Sequence, residues 1–152
     1  MMKLLTTAAI AAAGLSAAPP AGADCTPADF TGHYVGVGNG AGGKGFHQAL
    51  YCEVDIKARG NSIEFGGASA CTTLPGNKTH RALFSPAEVF PNCHLNRWGT
   101  IVLAGSGDTI LVTEARGDKS HAADKVDNVV IVGRYPSRGQ SDFEITLTRA
   151  GE

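Results

Sequence analysis

The side chains best suited to binding or catalysis are concentrated between residues 78 and 98. This segment includes apolar Phe84 and Phe90, and its cationic and histidine side chains are Lys78, His80, Arg81, His94 and Arg97. A mixture of basic and aromatic side chains is typical of a contact surface for an anionic ligand, a carbohydrate or a partner protein. We therefore predict that these five side chains contact a ligand or a partner. The alternative is a long connection whose aromatic side chains plug one end of the fold.

Four cysteines follow residue 24, namely Cys25, Cys52, Cys71 and Cys93. An even number of cysteines in an exported domain predicts two disulfides. No two of them form the close pair typical of a zinc site, so we predict no metal at these thiols. The pairing stays open among three connectivities. Cys52 with Cys71 is plausible because both are expected on the inward face of adjacent strands, whereas Cys71 with Cys93 would staple the segment 78–98.

The glycine-rich run over residues 36–45 contains GxGxxG and approaches a P-loop. A P-loop requires Ser or Thr after its lysine, where this chain has Gly45, and both motifs require a following helix, where we predict a strand. We therefore predict a mobile hairpin loop over this run and no cofactor.

No other set of residues predicts catalysis. The five histidines form no HxH or HxxxH pair, so we predict no metal site. Cys93 and His94 are neighbours, but neighbouring side chains on an extended chain point apart, and a disulfide cysteine cannot act as a nucleophile. We therefore predict no catalytic residue and a protein that is not an enzyme.

The N-terminal segment predicts export. Lys3 precedes an apolar run over residues 4–18, and Ala21-Gly22-Ala23 fits a signal-peptidase site. We predict a signal peptide over residues 1–23, one domain over residues 24–152, no membrane span after processing, and a bacterial periplasmic or secreted location. Loss of Lys3 leaves 12 basic against 14 acidic residues, which predicts no attraction to nucleic acid.

The rest of the chain predicts an all-β fold. From Phe46 onward, Leu50, Cys52, Val54 and Ile56 alternate with polar residues, which indicates a strand with one buried face. Similar runs near residues 33–37, 63–65, 80–84, 98–104, 109–115, 129–135 and 143–149 bring the count to about eight strands. We predict a small antiparallel up-and-down β-barrel, with a β-sandwich as the alternative. Residues 116–127 are predicted to form the longest hydrophilic loop, which would display the tripeptide Arg116-Gly117-Asp118.

The two ends of this sheet resemble those of the calycin barrels, the group of lipocalins, avidins and bacterial metalloprotease inhibitors. The first strand begins with Thr31-Gly32-His33-Tyr34 and the last ends with Thr148-Arg149. Calycins open with Gly-x-Trp and often pack a late arginine across that ring; here Tyr34 takes the place of the tryptophan. The resemblance covers about ten residues and implies a structural latch, in which Arg149 stacks on Tyr34 through a cation–π contact. It implies no particular ligand.

These patterns lead us to expect an exported bacterial binding protein without enzymatic activity. Its ligand would be a small molecule or a partner protein, bound at the barrel mouth or by the segment 78–98. The alternative is a proteinaceous inhibitor of a secreted hydrolase, because a rigid scaffold reduces the entropy lost on binding. A ligand barrel should enclose an empty apolar cavity, whereas an inhibitor should have a filled core and a protruding loop.

Overall fold

The computed structural model describes residues 24–42, 46–96, 99–120 and 124–150. The predicted signal peptide over residues 1–23 lies outside the described residues, as do Arg97 and Trp98. No helix in the described part of the chain is long and apolar enough to cross a membrane.

The described residues form ten strands and one short helix, so the prediction of an all-β fold is confirmed. The helix α1 is a single turn, Pro27–Phe30, and a 3₁₀ turn, Pro136–Arg138, precedes the last strand. The strands are β1 (Gly32–Gly42), β2 (Phe46–Arg59), β3 (Ser62–Phe65), β4 (Ala70–Leu74), β5 (Lys78–Phe84), β6 (Ala87–Glu88), β7 (Thr100–Leu103), β8 (Asp108–Asp118), β9 (Asn128–Tyr135) and β10 (Ser141–Arg149).

Eight of these strands close into an antiparallel barrel in the order β1-β2-β4-β5-β7-β8-β9-β10. Each strand pairs with the next, and β10 pairs with β1 to complete the wall. The up-and-down barrel is therefore confirmed, and the sandwich alternative is wrong. Strands β3 and β6 lie outside the wall, with β3 paired to β2 and β6 paired to β3.

The barrel has two different ends. At one end, which we call the turn end, short connections join β4 to β5, β7 to β8 and β9 to β10. The other end, which we call the α1 end, carries α1, β3 and β6.

Side chains fill the barrel interior. Along β10, Phe143, Ile145 and Leu147 are buried and alternate with exposed polar residues, as the period-two pattern predicted. The interior leaves an enclosed cavity of about 10 Å³. That volume is close to the minimum for one water molecule, so the core has no room for a ligand.

The glycine-rich run is mostly strand, so the prediction of a hairpin loop over residues 36–45 was wrong for residues 36–42. The reason is the close approach of β10 to the inward side of β1. A Cβ atom on Gly36 would lie 2.2 Å from the Thr146 carbonyl oxygen, and one on Gly38 would lie 2.9 Å from Ile145 Cβ. These glycines therefore allow tight strand packing. The remaining three residues of the predicted loop, 43–45, lie outside the described part of the chain.

The predicted hydrophilic loop over residues 116–127 is also shorter than expected, because β8 continues to Asp118. Arg116 pairs with Val130 and Asp118 with Asn128, and both charged side chains are exposed on the outer wall. A Cβ on Gly117 would lie 2.6 Å from Cε1 of the buried Phe30. The tripeptide Arg116-Gly117-Asp118 is therefore part of a strand packed against α1, not a displayed loop.

At the α1 end, Arg149 joins three parts of the chain. Its guanidinium carbon lies 4.8 Å from the centroid of the Tyr34 ring, so the contact that the calycin resemblance implied is present. Nε donates to the Val126 carbonyl at 2.9 Å, Nη1 to the Thr31 carbonyl at 2.9 Å and Nη2 to the Asp29 carbonyl at 3.0 Å. The Tyr34 hydroxyl accepts a hydrogen bond from Nη2 and donates one to the Val126 carbonyl. We call this cluster the Arg149 latch.

Candidate functional site

The structure does not bring the four described members of the predicted contact set into one site. Lys78 begins β5 at the turn end, and β5 reaches the α1 end at Phe84. A rise of about 3.3 Å per residue places these two positions about 20 Å apart. His94 lies at the α1 end, in an antiparallel bridge with Arg116 of β8. Lys78 and His94 therefore lie near opposite ends of the barrel.

His80 and Arg81 lie on β5 with Lys78, but as adjacent residues of a strand they point to opposite faces. His80 Nδ1 lies 3.2 Å from the Ala104 carbonyl oxygen, and the Arg81 side chain is exposed on the outer face of β5. Arg97 lies outside the described residues. Residues 78–84 form barrel wall, so the predicted segment 78–98 is not one continuous excursion.

The two disulfides lie in different parts of the molecule. Two disulfides are present, as predicted, and they join Cys52 to Cys71 and Cys25 to Cys93. The open alternative, Cys71 with Cys93, is therefore not formed. Cys52 and Cys71 face each other across β2 and β4, which is the arrangement that favoured their bond. The other bond joins the segment before α1 to a hairpin after β6.

That hairpin has a tight tip, Phe90–His94, which we call the Phe90 loop. Val89 pairs with Leu95 below it, the Phe90 amide donates to the His94 carbonyl at 2.9 Å, and the Cys93 amide donates to the Phe90 carbonyl at 2.9 Å. The sequence explains the turn. Proline is favoured at the second position of such a turn, and Asn92 accepts a hydrogen bond from the His94 amide at 3.2 Å through its side chain.

The backbone of the Phe90 loop is fixed to the barrel at several points. Cys93 is bonded to Cys25, and the Cys25 amide donates to the Pro91 carbonyl at 2.9 Å. On the other side, the Gly117 amide of β8 donates to the Cys93 carbonyl at 2.7 Å. Cys93 has a φ of 65°, a left-handed conformation that costs a residue other than glycine about 1 kcal/mol or more. The surrounding bonds hold the chain in this unfavourable conformation.

The side chains of the Phe90 loop are exposed although its backbone is fixed. Phe90 is 41% exposed, and it is the only exposed phenylalanine among those whose side chains the structure describes. Pro91, Asn92 and His94 are exposed as well, whereas Cys93 is buried. Phe84 lies in the core against Phe65, as the plug alternative predicted for the aromatic residues, but Phe90 does not.

Two open grooves run along the sides of His94. The larger, of about 640 Å³, is lined by Asn92, Arg116 and Asp118 together with the outer faces of β9 and β10. The smaller, of about 440 Å³, includes Glu114 of β8. The loop that carries the apolar Phe90 therefore borders grooves lined mainly by polar and charged side chains. An apolar anchor within a polar rim is the arrangement common in protein interfaces.

The barrel mouth, which is the other predicted binding place, carries a surface groove. A groove of about 510 Å³ lies at the turn end, among the ends of β1 and β2 and the β4–β5 connection, but it does not lead into an interior chamber. Among the described residues, no three side chains of His, Cys, Asp or Glu lie close enough together to hold a metal ion.

The sequence analysis included Phe90 and His94 in its candidate segment but missed the contributions of Cys25 and Gly117. The available signal was the run Phe90-Pro91-Asn92-Cys93, because proline followed by asparagine is typical of a tight turn. The partners of that turn come from positions 25 and 117, so only the three-dimensional fold identifies them.

The fold and the site define a closed, disulfide-linked barrel with a filled core and one anchored, exposed loop. Comparison of the chain with protein-family models, curated proteins and solved structures finds no match.

Proposed function

We propose that this chain is an exported, non-enzymatic bacterial binding protein that contacts a partner protein through the Phe90 loop. The observation that carries the proposal is the exposed Phe90 on a backbone fixed by a disulfide and by hydrogen bonds from Cys25 and Gly117. A loop that is ordered before binding loses little conformational entropy on binding. Aromatic side chains surrounded by polar groups are frequent centres of binding energy.

A protein partner fits the geometry better than a small molecule. The cavity left inside the barrel has a volume of about 10 Å³, whereas drug-sized ligands occupy pockets of roughly 300 to 1,000 Å³. The grooves beside His94 have sufficient volume but are open along the barrel wall. A partner surface can cover such grooves together with Phe90.

Export is supported by two features. Both disulfides join cysteines that are at most 8% exposed, and structural disulfides persist in oxidising compartments. The N-terminal sequence has the charge, the apolar run and the small residues of a bacterial signal peptide. The proposed location is therefore the periplasm or the exterior of the cell.

Inhibition of a secreted hydrolase is the second candidate, and it specifies the partner of the same loop. The filled core and the fixed, projecting Phe90 loop are the features expected of an inhibitor, which must keep its shape inside an enzyme cleft. It predicts that the partner is an enzyme and that binding lowers its activity. A binding module of another kind predicts no such loss.

Site-specific crosslinking tests the proposed contact. A photoreactive phenylalanine analogue would replace Phe90 in the native producing cell, and the same analogue at exposed Ser137, at the turn end, is the matched control. We expect a discrete protein adduct from position 90 and none from position 137. The absence of an adduct at 90, or the same adduct from both positions, would contradict the proposal.

The recovered partner then permits an affinity measurement. We expect Phe90→Ala to weaken binding about 30-fold, the effect of about 2 kcal/mol at an interface centre. Leu111→Ala removes a side chain of similar exposure (39%) elsewhere on the barrel, so its affinity should be unchanged. Equal affinities for the two variants would place the contact elsewhere.

The two disulfides provide a second comparison. The Cys25–Cys93 bond spans 68 residues and the Cys52–Cys71 bond spans 19. Loop entropy predicts losses of about 4 and about 3 kcal/mol when each pair is replaced by alanine. At temperatures at which both double variants remain folded, only the Cys25→Ala, Cys93→Ala variant should bind the partner more weakly. If the Cys52→Ala, Cys71→Ala variant lost as much affinity, the anchoring of the Phe90 loop would not explain binding.

A further inference from the structure

The two disulfides differ in the structure that keeps their sulfur atoms together. Cys52 and Cys71 lie directly opposite each other in the barrel wall, where β2 and β4 are each paired on both sides. Cys25 and Cys93 instead join the segment before α1 to the Phe90 loop, where the Cys25 amide also donates to the Pro91 carbonyl at 2.9 Å. Strand pairing would keep Cys52 beside Cys71 if their bond were broken. Cys25 and Cys93 have no strand pairing to keep them together, because neither lies in a strand.

The turn in the Phe90 loop favours glycine at position 93. Its hydrogen bonds enclose a three-residue turn, 91–93, and Cys93 at the third position has a φ of 65°. In hairpin turns of this length the third residue takes the left-handed conformation, which glycine adopts at the lowest cost. A cysteine lacks that advantage but can form a disulfide. We therefore expect the Cys25–Cys93 bond to keep the turn closed, because residue 93 itself disfavours it.

Little structure covers the Cys25–Cys93 bond. The two cysteines are 5% and 8% exposed, but Asp24 and Thr26, on either side of Cys25, are both exposed. Asp24 is also the first residue after the predicted signal peptide, and the first residues of a domain open locally more readily than paired strands do. Such an opening brings the Cys25–Cys93 sulfurs to an external thiol. The other disulfide lies within the barrel wall, so the same opening does not expose it.

We propose that the Cys25–Cys93 bond is a redox switch of the Phe90 loop. An external dithiol reduces it in the folded protein, the loop opens and the partner contact is lost, while the barrel and the Cys52–Cys71 bond stay intact. The regulation of binding rests on the proposed function of the Phe90 loop. The selective reduction and the opening do not, because they are properties of this chain alone.

The reaction is thiol–disulfide exchange. A thiolate of the dithiol attacks one sulfur of the Cys25–Cys93 bond, forms a mixed disulfide and releases the other cysteine as a thiolate, which takes up a proton. The second thiol of the reductant then displaces the remaining cysteine. The reductant ends as a disulfide, Cys25 and Cys93 end as thiols, and two electrons and two protons have passed to the protein.

Reduction changes the Phe90 loop and not the barrel. The left-handed conformation of residue 93 is no longer enforced by a covalent bond, so the backbones of Phe90 and His94 can separate. The eight-stranded wall keeps its strand pairs, because Cys25 and Cys93 lie outside the strands. A loop that becomes ordered only on binding loses more conformational entropy and binds more weakly.

A redox titration of the mature native protein tests the selective reduction. The protein is equilibrated at increasing ratios of reduced to oxidised dithiothreitol, free thiols are alkylated, and mass spectrometry measures the label on each cysteine. We expect the Cys25–Cys93 pair to be labelled at a ratio at least about tenfold lower than the Cys52–Cys71 pair, which is about 30 mV for this two-electron couple. Equal ratios, or earlier labelling of Cys52 and Cys71, would overturn the proposal.

Amide hydrogen exchange tests the opening, at a ratio that reduces only the Cys25–Cys93 bond. The amides of Phe90, Cys93 and Gly117 close the loop and join it to β8, so they should lose protection on reduction. The amides of β10 should keep theirs, because the wall stays closed. Unchanged protection at the three loop amides, or an equal loss along β10, contradicts the switch.

Two double variants test whether residue 93 decides the closure. In Cys25→Ala, Cys93→Ala, the loop amides should exchange rapidly with or without dithiothreitol, because alanine disfavours the left-handed conformation. In Cys25→Ala, Cys93→Gly, the residue that the turn favours is present, so protection should be partly recovered and should not respond to dithiothreitol. Equal exchange in the two variants would overturn the proposal.

The partner recovered by crosslinking at position 90 links the switch to binding. It should bind the oxidised protein more tightly than the protein in which only the Cys25–Cys93 bond is reduced. Equal binding to the two forms, with a loop that opens on reduction, would place the error in the proposed function. A loop that stays closed on reduction would place the error in the switch.

Discussion

Two aromatic residues at the α1 end, Tyr34 and Phe90, are held by extensive contacts but lie in opposite environments. Tyr34 is fully buried under Arg149, which also binds three backbone carbonyls. Phe90 projects into solvent from a loop that a disulfide and backbone hydrogen bonds hold in place. The Arg149 latch therefore stabilises the fold through the side chain it covers. The anchors of the Phe90 loop leave their aromatic side chain exposed.

This difference separates a residue that stabilises the fold from one that we propose contacts a partner. Burying an aromatic side chain contributes roughly 1.5 to 3 kcal/mol to stability, and the Arg149 latch obtains that contribution from Tyr34. The Phe90 loop forgoes much of it and also holds Cys93 in a left-handed conformation. A loop that holds an apolar side chain in water at this cost is expected where that side chain meets a partner.

Replacement of Arg149 by methionine should lower stability far more than any change in the exposed side chains of the Phe90 loop. The change keeps most of the apolar stem but removes the donors to Val126, Thr31 and Asp29 and leaves their carbonyls without that partner. We expect a loss of about 3 kcal/mol in the free energy of unfolding, measured by urea denaturation. Arg149→Lys, which keeps the charge but not the fork of donors, should recover only part of that loss. A loss below about 1 kcal/mol would mean that the Arg149 latch does not hold the α1 end.

Alkaline pH gives a second, smaller test of the Arg149 latch. Burial raises the pKa of Tyr34 to about 12, although the nearby Arg149 charge acts in the opposite direction. An unfolded tyrosine has a pKa of about 10, so the unfolded state ionises first. The stability that the neutral, buried phenol provides is therefore fully present below pH 10 and is lost as the pH rises from about 10 to about 12.

The control for this test is Tyr34→Phe, which has no hydroxyl to titrate. The free energy of unfolding of the native protein should fall more steeply than that of Tyr34→Phe over this pH interval. Burial also raises the pKa of Tyr135, but that group is present in both proteins and does not contribute to the difference between them. Parallel pH profiles for the two proteins would show that the Tyr34 hydroxyl is not held as the structure places it.

Local pattern made much of the fold predictable. The alternation along β2 and β10 identified inward residues such as Leu50 and Phe143, and closure of the sheet followed from the number of strands. The glycines of β1 misled the prediction because their role depends on β10, about a hundred residues later, approaching their backbone. Arg116 to Asp118 misled it for a similar reason, since polar side chains on an outer wall resemble a loop in sequence.

The candidate site was less predictable than the fold. Composition pointed to a segment containing Phe90 and His94 but grouped them with Lys78, which lies near the other end of the barrel. What makes the Phe90 loop rigid is contact with Cys25 and Gly117, and local sequence carries no signal for contacts over such separations.

Phe90→Ala should have the smallest effect on stability, and Phe84→Ala is its matched comparison within the same segment. Phe84 is 6% exposed and packs on Phe65 at 5.0 Å between ring centroids, so its truncation should cost about 3 to 5 kcal/mol. Phe90 is 41% exposed, so its truncation should change the free energy of unfolding by about 0.5 kcal/mol or less. Urea denaturation of both variants measures the difference. A loss near 2 kcal/mol for Phe90→Ala would mean that this ring supports the fold, and the contrast between the Phe90 loop and the Arg149 latch would then fail at its central residue.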